Sequence, residues 1–106
     1  MKEITVQELK EKRDAGDEFV LIDVREQFEY LVSNLEGEHI ALGDLETSLN
    51  QLERYKDTEV IMMCRSGGRS ANACSFLERH GFTNVANLKG GITAWSKEID
   101  PSIPVA

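Results

Sequence analysis

Apolar positions along the chain fall into short groups separated by polar stretches, and each group carries the period of one kind of element. Thr5-Val6-Gln7-Glu8 has capping-box spacing, with Ile4 and Leu9 placed as a hydrophobic staple, which predicts a helix from Val6 to near Gly16. Phe19-Val20-Leu21-Ile22 is a run of strand formers ending in Asp23 and Arg25, and a helical turn is expected over Gln27 to Leu31. Leu45, Leu49 and Leu52 stand at i, i+4 and i+7, one stripe of a helix that Asp44 could cap. Val60-Ile61-Met62-Met63 has no polar member and reads as a strand buried on both faces, running straight into Cys64.

Further on, Ala73, Cys74, Phe76 and Leu77 share one face of a predicted helix that Gly81 ends. Asn84 to Leu88 reads as a last short strand, Gly90-Gly91 as a turn, and Ile92 to Ile99 as a closing helix holding Trp95. Strands alternating with helices imply a parallel sheet covered on both faces, hence the α/β class. A chain of 106 residues, 41% of them hydrophobic, is expected to form a single domain over residues 1–106, with only the proline-bearing stretch 100–106 irregular.

Charge narrows the function. Lys and Arg total 12 against 19 Asp and Glu, a net charge of −7, which argues against a nucleic-acid or anionic-membrane binder. No run reaches the length of a transmembrane helix, and Met1-Lys2-Glu3-Ile4-Thr5 lacks the pattern of a signal peptide, so a soluble cytoplasmic protein is expected. Cys64 and Cys74 are too few for a disulfide framework, and no second Cys or His stands at zinc-site spacing, so no metal or cofactor is expected.

The candidate chemistry lies in Cys64-Arg65-Ser66-Gly67-Gly68-Arg69-Ser70. A cysteine that ends a buried parallel strand and precedes a small-residue loop and a helix sits at the carboxyl edge of the sheet, where open α/β folds bind ligands. Ser66, Gly67 and Gly68 leave backbone N–H groups free to turn inward as an anion nest, while the next helix points its positive end at the same spot. Arg65 and Arg69 add positive charge, and together these features are expected to lower the Cys64 pKa below the free value of about 8.5. Ser70 could cap that helix and orient the thiolate.

Three segments in order resemble the rhodanese-like domain family: Leu21-Ile22-Asp23-Val24-Arg25-Glu26 with Glu29-Tyr30; the loop Cys64 to Ser70; and Asn87-Leu88-Lys89-Gly90-Gly91-Ile92 with Ala94-Trp95. The resemblance spans nearly the whole chain. It implies a three-layer α/β/α fold around a five-stranded parallel sheet and a two-step sulfur transfer. Cys64 would take a sulfane sulfur from a donor such as thiosulfate, hold it as a covalent persulfide, and yield it to a nucleophilic acceptor. The partners implied are a small anionic sulfur donor or a protein donor and acceptor. Arg25, with Asp23, matches a position whose side chain braces the active-site region.

Loop length bears on substrate. Phosphate and arsenate ester chemistry uses a Cys-x5-Arg loop, whereas four residues separate Cys64 from Arg69, a tighter cradle matched to one sulfur atom. A non-catalytic binding or regulatory module is the other alternative, disfavoured by the presence of the cysteine. The stretch Gly37 to Leu45 departs from the family's usual Gly-His-Ile-Pro-Gly-Ala, with Ala41 where a related variant has proline. His39 reads as a hydrogen-bonded residue of a connecting segment, and His80 as a charge complement to a helix end. Cys74, Phe76 and Trp95 read as packing residues.

Overall fold

A computed structural model describes all 106 residues. Five strands form one parallel sheet: β1 Lys2–Ile4, β2 Val20–Asp23, β3 Glu38–His39, β4 Val60–Met63 and β5 Val85–Leu88, in the order β1-β5-β4-β2-β3. The helices are α1 Val6–Ala15, α2 Gln27–Val32, α3 Leu49–Leu52, α4 Gly68–Arg79 and α5 Gly91–Glu98. No helix is long and apolar enough to cross a membrane.

The two-residue period of the central strands divides the core into two clusters. Ile22, Val60 and Met62 pack with Ala73, Cys74 and Leu77 of α4 and with Leu45 and Leu52. Their neighbours Leu21, Ile61 and Met63 share the other cluster with Leu9 of α1 and Ile92 and Trp95 of α5. Both faces of the sheet are thus covered, which is why β4 carries no polar residue. The layers are those expected of the three-layer α/β/α fold.

Local signals place α1 closely. Thr5 and Glu8 form the reciprocal capping box, and Gly16 ends the helix at φ 71°, a left-handed position that suits glycine. Two strands escaped the hydrophobic pattern, β1 and β3, because both are edges only two or three residues long with polar, exposed positions. The expected helix through Leu45, Leu49 and Leu52 is corrected: residues 42–55 break into 3₁₀ turns at Leu42–Asp44, Glu46–Ser48 and Glu53–Tyr55 around the single turn of α3. Asp44 is not its cap; it ends the first of those turns. The leucines still turn inward, since 3₁₀ and α pitches bring a similar stripe to the core over so short a span. Ala41 opens this segment at φ −56°, an angle a proline would also hold.

Residues 100–106 form neither helix nor strand, as expected, yet they are held down. Ile103 and Val105 pack on the α1–α5 cluster, Ser96 donates to the Ile103 carbonyl at 2.6 Å, and Ser33 donates to that of Pro104.

Candidate active site

β4 ends at Met63 and α4 begins at Gly68, so Cys64 occupies the first position beyond a fully buried strand at the carboxyl edge of the sheet. The turn between them needs Gly67, whose φ of 113° lies where side-chain-bearing residues rarely go. The backbone N–H groups of Gly67 and Ser70 donate to Cys64 Sγ at 3.1 and 3.4 Å, and the Ser70 hydroxyl lies 3.2 Å from it. Because Ser70 stands in the first turn of α4, its N–H has no partner within the helix and is available to the sulfur.

The loop is held from behind by α5. The N–H groups of Ile92 and Thr93 bind the carbonyls of Cys64 and Arg65 at 3.0 Å each, and the Thr93 hydroxyl adds a bond to Arg65 O at 2.8 Å. With its carbonyls drawn outward to a helix start, the loop turns its N–H groups inward. Gly91 is therefore more than a turn residue: a Cβ there would lie 2.3 Å from the Cys64 carbonyl oxygen, at a φ of 55°.

Burial pushes the Cys64 thiol up, since the residue is only 1% exposed. The hydrogen bond that the Ser70 hydroxyl can give to a thiolate, followed by those from the N–H groups of Ser70, Gly67 and Ser66, outweighs burial and leaves the thiol below its ordinary value. The direction agrees with the sequence reading, and so does the part played by inward N–H groups. The arginines matter less than expected: Arg65 is exposed, and Arg69, which does feel the Cys64 charge, is paired chiefly with Glu29.

Arg69 makes two charge-assisted bonds to Glu29 of α2, at 2.6 and 3.0 Å. That Arg69 bond holds the 6%-exposed Glu29 carboxyl below the usual carboxylate range against the opposing effect of burial. Glu29 thereby ties α2 to the cysteine loop. The signal for it was the polar residue on the inward side of a short helix otherwise rich in apolar side chains.

Asp23 and Arg25 are a buried pair, 1% and 0% exposed. Arg25 Nη2 meets Asp23 Oδ2 at 2.8 Å and the Ser33 carbonyl at 2.7 Å, and Nη1 reaches the Ala106 carbonyl at 3.3 Å. Neither side chain bonds to the cysteine loop; the pair braces the end of α2 and the last residues. His39 donates through Nε2 to the Arg25 carbonyl at 2.7 Å and stacks on Tyr30. His80 bonds the Phe76 carbonyl at the end of α4. Cys74 and Trp95 are buried and Phe76 packs against the core, as their patterns implied.

Asn87 is the second site residue that sequence reasoning passed over. It is 3% exposed in β5, accepts from the Ser70 hydroxyl at 2.5 Å, and donates through Nδ2 to the Gly67 carbonyl at 3.1 Å. One polar residue in the buried run Val85-Ala86-Asn87-Leu88 was the available signal.

A family model described as Rhodanese-like domain matches residues 5–98. The chain belongs to this family. Among rhodanese-like relatives, YtwF of Bacillus subtilis (strain 168), provisionally named a sulfurtransferase, is 42% identical over 102 residues, which are 95% of this chain and 96% of that protein. The adenylyltransferase and sulfurtransferase MOCS3-1 of Zea mays is 32% identical over 108 residues, 96% of this chain but only 23% of the relative. The crystal structure of a rhodanese-like domain protein from Staphylococcus aureus superposes with a TM-score of 0.84 at 28% identity, covering 100% of this chain and 99% of that one.

Proposed function

We propose that the protein is a sulfurtransferase that moves a sulfane sulfur through a persulfide on Cys64. The observation that carries this reading is the convergence of the Gly67 and Ser70 N–H groups on Sγ itself, which favours a thiolate in a nearly closed cradle. The names of YtwF and of MOCS3-1 support the same class of reaction.

In the first step the Cys64 thiolate attacks the sulfane sulfur of a donor such as thiosulfate. The new S–S bond forms as the donor's own S–S bond breaks, and sulfite leaves with the electron pair. An acceptor nucleophile such as cyanide, or the thiolate of a partner protein, then attacks the terminal sulfur and returns the electron pair to Cys64. No general base is required, because the thiolate exists before attack. The inward N–H groups offset charge on the sulfur in both states, as an oxyanion hole does for oxygen. In this scheme Arg65, Ser66, Gly67, Gly68, Arg69 and Ser70 form the cradle, with Asp23 and Arg25 supporting it from a distance. Protein donors and acceptors fit because the loop grips little beyond one sulfur.

The test is thiocyanate formation from thiosulfate and cyanide. The wild type is expected to turn over and Cys64→Ser to be inactive. Equal activity in the two, or aryl phosphate turnover that depends on Cys64, would contradict the proposal.

A further inference from the structure

Behind Cys64 lies a buried chain of polar atoms whose proton count does not suit a thiolate. Ser70 Oγ lies 3.2 Å from Cys64 Sγ and 2.5 Å from Asn87 Oδ1. The orientation of the Asn87 amide follows from its other contact: the Gly67 carbonyl can only accept, so the atom 3.1 Å from it is Nδ2, and Oδ1 faces Ser70. Since Oδ1 carries no proton, the Ser70 hydroxyl must donate to it. A serine hydroxyl has one proton. Ser70 then presents a lone pair to the sulfur, an arrangement that accepts from an S–H and opposes an S⁻.

We propose that Asn87 is a positioning residue for Cys64, competing with the sulfur for the single Ser70 hydroxyl proton and so setting the fraction of thiolate at neutral pH. In the thiol form every group is satisfied, with S–H donating to Oγ and O–H to Oδ1. When the thiol proton leaves to solvent, the Ser70 O–H turns to the sulfur, and Oδ1 loses its donor within a buried strand. The backbone N–H groups of Gly67 and Ser70 favour the thiolate while Asn87 restrains it. This inference rests on Cys64 being the nucleophile of the proposed sulfur transfer, but its test titrates a proton and needs no sulfur donor.

Asn87→Leu removes Oδ1 at similar volume and frees the Ser70 proton for the sulfur. The pH profile of Cys64 alkylation is expected to shift down by roughly one unit, about tenfold more thiolate below the midpoint. If Asn87 served only to hold Gly67, its loss would loosen the N–H groups and move the profile up, and an upward or absent shift overturns the proposal. In a Ser70→Ala background, adding Asn87→Leu is expected to move the profile no further; a shift that persists there also overturns it. Should Asn87→Leu not fold, the wild type supplies the reading. The side-chain amide resonances of Asn87 are expected to titrate with the Cys64 midpoint and to stop doing so in Ser70→Ala. Resonances that stay fixed through that midpoint in the wild type overturn the proposal.

Discussion

The two cysteines pack in the same apolar cluster, 1% and 0% exposed, yet their thiols move in opposite directions. Cys74 is pushed up to about 12, chiefly by burial with a contribution from nearby Glu78, whereas Cys64 falls below its ordinary value. Burial is common to both, so it is not what makes a thiol reactive. Cys74 sits inside α4, where backbone N–H groups are spent on the helix's own ladder. Cys64 sits where β4 has ended and α4 has just begun, where N–H groups lack helical partners and can turn to the sulfur. Chain position, more than depth, separates the two.

The largest expected consequence is selectivity. The two thiols are moved in opposite directions, so iodoacetamide at neutral pH should label Cys64 and spare Cys74 in the folded protein. Peptide mapping after partial alkylation checks this, and comparable labelling of the two would break the comparison.

Next in size is an attempt to strip Cys64 of its donors without touching the loop. In Gly91→Ala, the added Cβ would press on the Cys64 carbonyl oxygen from a backbone angle that disfavours alanine. A loss of about 2–4 kcal/mol in urea unfolding is expected, with the Cys64 alkylation profile moving up toward that of a free thiol.

Cys74→Ala removes the other member of the pair. Loss of a small buried side chain should cost about 1–2 kcal/mol, with sulfur transfer through Cys64 unchanged. A loss of activity out of proportion to the fraction unfolded would give Cys74 more than packing to do. Its raised thiol pKa also fixes a sign. Above pH ~8.5 the unfolded chain ionises at Cys74 while the folded one does not, so stability should fall with rising pH there, less steeply in Cys74→Ala.

The smallest effect sharpens the role of the arginines. Glu29→Gln should cost about 1 kcal/mol, because Arg69 is partly exposed and the pair is screened on that side. Glu29 is held below its usual range by Arg69, so its contribution is full above the unfolded carboxylate pKa of ~4.3 and is lost as pH falls through the depressed value. The variant should flatten that acid limb while leaving the Cys64 profile nearly in place, since hydrogen bonds from the Ser70 hydroxyl and the loop N–H groups are what chiefly lower the thiol. A large downward move of the Cys64 profile, with the Arg69 charge no longer neutralised by Glu29, would make the arginines its main cause.

What the sequence made legible follows the same logic. The order of β2, β4, α4, β5 and α5 could be read because the buried central strands are almost wholly apolar and α4 shows one apolar face. β1 and β3 could not, since a short edge strand has few buried positions and little pattern. Cys64 and its loop stood out through adjacent residues. Glu29 and Asn87 did not, because each reaches the loop across the sheet edge from another element, and such contacts leave no local trace beyond one polar residue where an apolar one is expected. The 3₁₀ breaks in residues 42–55 were hidden because a stripe of leucines over so few turns fits either pitch.

The central claim is that the Cys64 cradle loads one sulfur. Incubating the protein with thiosulfate and measuring its intact mass tests this most directly. One added sulfur atom is expected, mapped to Cys64, absent from Cys74 and removed by cyanide; no adduct, or one that survives in Cys64→Ser, would contradict the account.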